Sequence, residues 1–327
     1  MTILLLLVGL GLLILGADRL IDGASAIAGT LAPKTGASEF IIGFTIVGFG
    51  TSCPELVVSL TGAIQGNADI AIGNVVGSNI FNTLFILGIT SLIFPVSMTV
   101  TNRKRDIPIA LGVSLLLILF GMSKSIFGIG QSDSLTRAEG GFFLLAFAAY
   151  LLYSFKSGTA EPDKRGGHKT NKLPVDILFI VLGLAGLIFG SDLFVKKATE
   201  LARVIGVSDK FIATTVLAGG TSIPELTTSI VAAARHKDQM ALGNIIGSNV
   251  FNILLILGCS SVITPLSFSG MDPVDAAVLV FSSLLLLIWA YTGRKCHIDR
   301  WEGAIMLLSF AAYYYYLFTT TSIHNGI

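Results

Sequence analysis

Apolar residues dominate long stretches of this chain, and short polar segments separate them. A helix crossing a bilayer needs about 20 mainly apolar residues. Ten stretches meet that need, roughly 2–28, 38–64, 69–94, 107–122, 138–156, 174–200, 208–234, 239–264, 274–292 and 301–319. The pattern predicts an all-α polytopic membrane protein with ten transmembrane helices. The most polar break runs from Lys156 to Lys172 and holds Glu161-Pro162-Asp163-Lys164-Arg165-Gly166-Gly167-His168-Lys169. It reads as a solvated connector, too short for a folded regulatory domain. The chain thus divides into a first five-helix unit, 1–156, a cytoplasmic linker, 157–173, and a second five-helix unit, 174–327.

Five is an odd number, so the second unit enters the membrane in the opposite sense to the first. The expected architecture is two inverted-topology repeats. Basic residues orient it. With the amino terminus outside, cytoplasmic loops carry 14 Lys and Arg and outer loops carry 6, while Arg19 lies within the first span. The positive-inside rule then puts both termini outside the cell. Composition agrees with membrane burial. Mean hydropathy is +0.82 and 13% of residues are charged, against about 25% in soluble domains. The amino terminus has no basic segment before its first apolar run, which predicts a retained helix and not a cleaved signal. A net charge of +1 gives no reason to expect a nucleic-acid partner, and three cysteines, Cys53, Cys259 and Cys296, form no framework.

Two segments recur at an offset of 170 residues. Gly50-Thr51-Ser52-Cys53-Pro54-Glu55-Leu56 returns as Gly220-Thr221-Ser222-Ile223-Pro224-Glu225-Leu226. Gly73-Asn74-Val75-Val76-Gly77-Ser78-Asn79-Ile80-Phe81-Asn82 returns as Gly243-Asn244-Ile245-Ile246-Gly247-Ser248-Asn249-Val250-Phe251-Asn252. The alignment of 50–60 with 220–230 holds 7 identities in 11, and that of 68–88 with 238–258 holds 12 in 21. The identities include Gly, Ser, Thr, Asn, Pro and Glu, which shared hydrophobicity does not select. A carboxylate is costly at membrane depth and marks a functional position there. Two of them, related by a repeat, point to one cation site built from both halves.

The chemistry around each Glu fits that reading. Pro54 lacks an N–H, so the carbonyl of Gly50 loses its helical partner. Pro224 does the same to Gly220. Freed carbonyls at membrane depth require a protein partner or a polar cavity, and a desolvated cation satisfies them. Thr51, Ser52, Thr221 and Ser222 add hydroxyl oxygens. Hard oxygen ligands of this kind suit Ca²⁺ or Na⁺ and not zinc or copper. In the second motif, Gly73 and Gly77 lie on one helix face and permit close packing. Asn74, Ser78 and Asn82 form a polar stripe one residue on, repeated by Asn244, Ser248 and Asn252. These stripes face the glutamates as ligands or join helices by hydrogen bonds, as Ser and Asn also do in membranes. The same choice stands for Asn79 and Asn249.

The paired motifs resemble the signatures of the sodium/calcium exchanger family within the cation/calcium exchanger superfamily, and the compact size resembles its prokaryotic type. The resemblance covers essentially the whole chain. It implies a secondary active antiporter that exchanges Na⁺ for Ca²⁺ by alternating access at a midplane site, with the first and sixth helices sliding past the core. It implies side-chain ligands at Thr51, Ser52, Glu55, Ser78 and Asn82, and at Thr221, Ser222, Glu225, Ser248 and Asn252, with backbone carbonyls at Gly48 and Ala218. It implies a multi-pass protein of the plasma membrane with no cofactor, Ca²⁺ and Na⁺ as transported ions, the bilayer as its surroundings, and no obligatory protein partner. One position departs from the family pattern: Asn252 stands where an Asp is common, leaving two carboxylates in the core. The alternative is a proton- or potassium-coupled calcium exchanger. A channel is disfavoured by the paired repeat. An enzyme is disfavoured because His168, His236, His297 and His324 all fall in loops or tails, and no nucleophile–base pair is apparent. Asp18 and Asp192 either guide an ion entrance or are solvated near the interface, and the run Tyr313 to Tyr316 is expected as an interfacial anchor.

Overall fold

In the computed structural model, residues 1–35, 38–157, 173–205, 219–292 and 296–324 are described. They are overwhelmingly helical. We number the principal helices α1 (Thr2–Thr35), α2 (Glu39–Thr51), α3 (Cys53–Ile64), α4 (Ala68–Ile93), α5 (Ile107–Gly121) and α6 (Arg137–Ser157), then α7 (Leu173–Val204), α8 (Ile223–Ala234), α9 (Asp238–Ile263), α10 (Pro273–Tyr291) and α11 (Arg300–His324). Among the described residues, six helices are long and apolar enough to span a membrane, or seven when α2 and α3 count as one bent span. The first part of the span predicted over 208–234 lies outside the described residues, as does most of the linker.

Caps set several helix starts. The Ser38 hydroxyl accepts from Ile41 N–H at 3.3 Å to open α2, and the Asn67 side chain accepts from Ile70 N–H at 3.3 Å to open α4. Thr136 and Glu139 cap α6 reciprocally, at 2.7 Å and 3.3 Å. The predicted break in the second span is present: α2 and α3 meet at a 51° bend. Ser52 is the hinge (φ −83°, ψ 6°), and Ser222 repeats it before α8 (φ −91°, ψ 8°).

Two apolar clusters hold the helices together. One lies among α2–α6 and α8–α11. The other joins α1 and α7 to one flank of that body through Leu13, Leu20, Ile42, Val47, Leu187 and Met240. α1 and α7 run very close together: a Cβ on Gly16 would sit 2.7 Å from Leu187 N, and one on Gly183 would sit 2.5 Å from Leu20 N. Small residues permit that approach.

The halves interdigitate. Gly303 of α11 abuts Ser91 at the end of α4, and Gly140 of α6 abuts Ser261 at the end of α9. Two short antiparallel strand pairs repeat the exchange. β1 (Val96–Ser97) pairs with β4 (His297–Ile298), and β2 (Ser134–Leu135) pairs with β3 (Leu266–Ser267). Ser114 and Ser283 hydroxyls meet at 3.0 Å between α5 and α10. The β1–β4 pair joins the turn after α8, where Ser97 Oγ donates to Asp238 at 2.6 Å. At the other pair lies the turn after α3, with Asp69 against Gly270.

Candidate functional site

The turns at Ser52 and Ser222 bring the two glutamates together. Glu55 and Glu225 each sit in the first turn of a short helix, α3 and α8, following a proline. The positive end of the helix dipole is there, which favours a carboxylate. Both side chains are fully enclosed, each 1% exposed. The hydrogen bonds cross between halves. Ser52 Oγ donates to Glu225 Oε1 at 3.2 Å, and Ser222 Oγ donates to Glu55 Oε1 at 3.0 Å. Ser222 Oγ also reaches Ser78 Oγ at 3.2 Å, and the Thr221 hydroxyl lies beside the Glu55 carboxylate.

The polar stripes of α4 and α9 flank this pair, as their spacing predicts. Asn74 Nδ2 donates to the Glu55 carbonyl at 3.2 Å and to Ser59 Oγ at 3.0 Å. Asn244 Nδ2 makes the corresponding bonds to the Glu225 carbonyl at 3.3 Å and Ser229 Oγ at 2.9 Å. Both thereby fasten a helix to its glutamate turn. Asn244 further accepts from Thr51 Oγ1 at 3.1 Å. Ser248 Oγ donates to the Gly48 carbonyl at 3.4 Å. Asn82 and Asn252 lie one turn beyond Ser78 and Ser248, each 1% exposed. At each of them the helix widens into a π turn, Phe81–Ile86 and Phe251–Leu257, a distortion that recurs at functional sites. Ala218 lies outside the described residues.

Besides the Thr221 hydroxyl, four buried oxygens of this cluster have no hydrogen-bond partner among the described residues: Glu55 Oε2, Glu225 Oε2, Asn82 Oδ1 and Asn252 Oδ1. They form two pairs at the repeat offset of 170. Buried polar atoms are rarely left unpaired, and all four are acceptors. Among the described residues no three His, Cys, Asp or Glu side chains gather, so the negative charge here is two carboxylates and the other oxygens are neutral. Such a set offers itself to a hard cation.

In the second half a neighbouring helix takes up the carbonyl freed by the proline. Gly220 O accepts from Ser191 Oγ of α7 at 3.0 Å. The surroundings differ between the halves. Gly243, Asn244 and Gly247 of α9 are buried, whereas Gly73 and Gly77 of α4 are exposed. Beside them is a cavity of about 90 Å³ lined by Asp69, Gly73, Gly77, Gly270, Asp275 and Tyr313.

Comparison with known proteins places this geometry. The sequence model of the sodium/calcium exchanger protein family matches residues 1–156 and 175–319. The chain belongs to the sodium/calcium exchanger family. The family's members are membrane transporters and not enzymes, so cation exchange is the class of activity. The chain is 40% identical over 324 residues to a putative antiporter, CaxA, of Alkalimonas amylolytica, covering 96% of this chain and 98% of that one. It is 34% identical over 349 residues to the sodium/calcium exchanger MaX1 of Methanosarcina acetivorans, covering 96% and 98%. The solved structure of the sodium-calcium exchanger NCX_Mj, soaked with Na⁺ and Sr²⁺, superposes with a TM-score of 0.77 at 32% identity, covering 95% of this chain and 96% of that one.

Asn79 and Asn249 take the joining option that the sequence left open and connect the two halves through side chains. Other polar contacts were not legible in the sequence. Arg235, at the end of α8, pairs with both Asp18 and Asp22 of α1, the latter at 2.5 Å. Asp192 instead pairs within its own helix, with Lys196 at 2.8 Å. Tyr313 and Tyr316, expected as lipid-interface anchors, donate to Asp275 and Asp272 at 2.8 Å each and tie α11 to the start of α10.

Proposed function

We propose that this exchanger carries Ca²⁺ and Na⁺ in opposite directions through one site between α2–α4 and α8–α9. The single observation that carries the reading is the set of four unpartnered oxygens, one from each glutamate and one from each asparagine. Two ionised carboxylates balance one Ca²⁺. The ligands are Glu55, Glu225, Asn82 and Asn252, with hydroxyls from Thr51, Ser52, Ser78, Thr221, Ser222 and Ser248 and carbonyls at Gly48 and Ala218. Sodium ions use the same oxygens, so the two cations compete, and competition at a site exposed alternately to each side is antiport. The names of MaX1 and NCX_Mj favour Na⁺ as the counter-ion.

The chain is two inverted five-helix repeats spanning a plasma membrane ten times, with both termini outside. The reciprocal hydrogen bonds across the 170-residue offset support this. The end bearing β1, β4 and Arg103, Lys104, Arg105 and Arg235 is cytoplasmic by the positive-inside rule. The end with Asp69, Gly270 and Asp275 is extracellular, and the cavity beside Gly73 and Gly77 is the ion's route from that side. α1 and α7 move against the rest, because a separate apolar cluster joins them to it.

The test is ⁴⁵Ca²⁺ uptake by proteoliposomes loaded in turn with Na⁺, K⁺ or acid. Uptake is expected only with an outward Na⁺ gradient. Uptake driven equally by K⁺ or by a proton gradient without Na⁺ would replace the Na⁺ reading with a potassium- or proton-coupled one.

A further inference from the structure

We propose that Asn79 and Asn249 are positioning residues, each aiming the ligand amide supplied by the other half of the chain. This rests on the reading of Asn82 and Asn252 as ligands. An amide has two ends of similar shape and opposite use. Its oxygen binds a cation, whereas its NH₂ group repels one. A ligand asparagine therefore needs a neighbour that accepts from its nitrogen and so turns the oxygen toward the ion.

That neighbour is present twice, and each time it comes from the opposite half. Asn82 Nδ2 donates to Asn249 Oδ1 at 3.1 Å. Asn252 Nδ2 donates to Asn79 Oδ1 at 2.9 Å. The acceptors are themselves held. Asn249 Nδ2 donates to Thr83 Oγ1 at 2.8 Å, and Asn79 Nδ2 donates to the Asn249 carbonyl at 3.0 Å. Asn79, Asn82 and Asn252 are 1% exposed and Asn249 is 8% exposed, so water has little access with which to replace a lost bond. The result is one orientation for each ligand amide, with Asn82 Oδ1 and Asn252 Oδ1 left as the unpartnered ends.

The arrangement separates positioning from simple helix joining. A joining residue needs only some partner. Here the partner is specific and crossed: Asn249 acts on Asn82, and Asn79 acts on Asn252. The two arms also differ. Thr83 anchors Asn249, but the position 170 residues later is Ile253, and Asn79 is held instead by backbone. Thr83→Val should therefore loosen Asn82 alone.

Double-mutant cycles read this directly. The apparent KM for Ca²⁺ is measured by Na⁺-driven ⁴⁵Ca²⁺ uptake for Ala variants at 79, 82, 249 and 252, alone and in the four cross-half and same-half pairs. Asn249→Ala is expected to raise KM about tenfold or more, with maximal rate per folded protein within about twofold. In an Asn82→Ala background it should add less than about threefold, and in an Asn252→Ala background its full effect should remain. Asn79→Ala should show the mirror pattern. Thr83→Val, which keeps side-chain size, should couple to Asn82→Ala in the same way and serves where Asn249→Ala folds poorly. Unchanged KM in Asn82→Ala and Asn252→Ala would overturn the ligand reading and this inference with it. Raised KM in those two, with additive effects in the crossed pairs, would leave the ligands in place and overturn the positioning role.

Discussion

Replacing Glu55 by Gln should damage Ca²⁺ binding far more than Na⁺ binding. The substitution keeps the shape of the side chain and keeps Oε1, which accepts from Ser222 at 3.0 Å. It converts Oε2, a buried acceptor without a partner among the described residues, into an NH₂ group facing the ion. At an effective dielectric constant of about 20, a unit charge ~4 Å from a divalent cation contributes about 8 kcal/mol of attraction. Removing a buried carboxylate also removes several kcal/mol of desolvation cost. A net loss of about 4 kcal/mol for Ca²⁺ corresponds to roughly a thousandfold weaker binding. For Na⁺ the attraction is about half as large, about 4 kcal/mol, and the same relief nearly cancels it. Calcium titration calorimetry on purified protein, repeated with rising Na⁺ as competitor, measures both affinities. A thousandfold loss for Ca²⁺ with less than about a tenfold change for Na⁺ is expected. Equal losses for the two ions, or Ca²⁺ affinity within tenfold of the parent, would refute the charge-balance reasoning.

Asn252→Asp adds a third carboxyl to the pair, and three adjacent anions compete for protons as well as for cations. Exchange by this variant should fall more steeply than that of the parent as pH drops below about 7, and superimposable pH profiles would remove residue 252 from the ion cluster. Arg235→Gln breaks a partly exposed bridge from α8 to α1, worth about 1 kcal/mol or less to stability. Its melting temperature should therefore stay close to the parent's while its turnover rate changes, with the charge-swapped pair Asp18→Arg and Arg235→Asp restoring it; a parental turnover rate would show that the bridge does not report on helix movement. Cysteines introduced at Gln65 and at Lys104 should react from opposite sides of the membrane with an impermeant reagent, and labelling of both from outside intact cells would exclude the proposed topology.

Much of the site was visible in the sequence because a repeat writes the same message twice. Pro54 marks a bend that the structure contains, Ser222 beside Pro224 repeats the Ser52 dihedrals, and Asn74 and Asn244 meet the glutamate turns, one of the two roles their spacing left open. What could not be read was which half each side chain serves. Ser52 lies three residues from Glu55 and donates instead to Glu225, as Ser222 does to Glu55, because the two motif turns face each other. Periodicity reports which residues share a face of one helix, never which of two equivalent helices lies opposite. The π turns that hold Asn82 and Asn252 left no signal either, since neither Gly nor Pro marks them. The tyrosines of α11 carry a further role that the sequence did not show: two of their hydroxyls bond carboxylates at the start of α10.

The exchange of contacts between halves has a consequence for how the protein is made. The end of α4, at Gly88 and Ser91, is completed by α11, which is made long after it, and β1 waits for β4. Helices α1–α6 therefore form with an unfinished face and hold it open until α11 and β4 have been made. Two fragments divided between Ser157 and Leu173 and produced together should find each other in the membrane, since each lacks what the other carries, whereas either fragment alone should be an early substrate for membrane proteases.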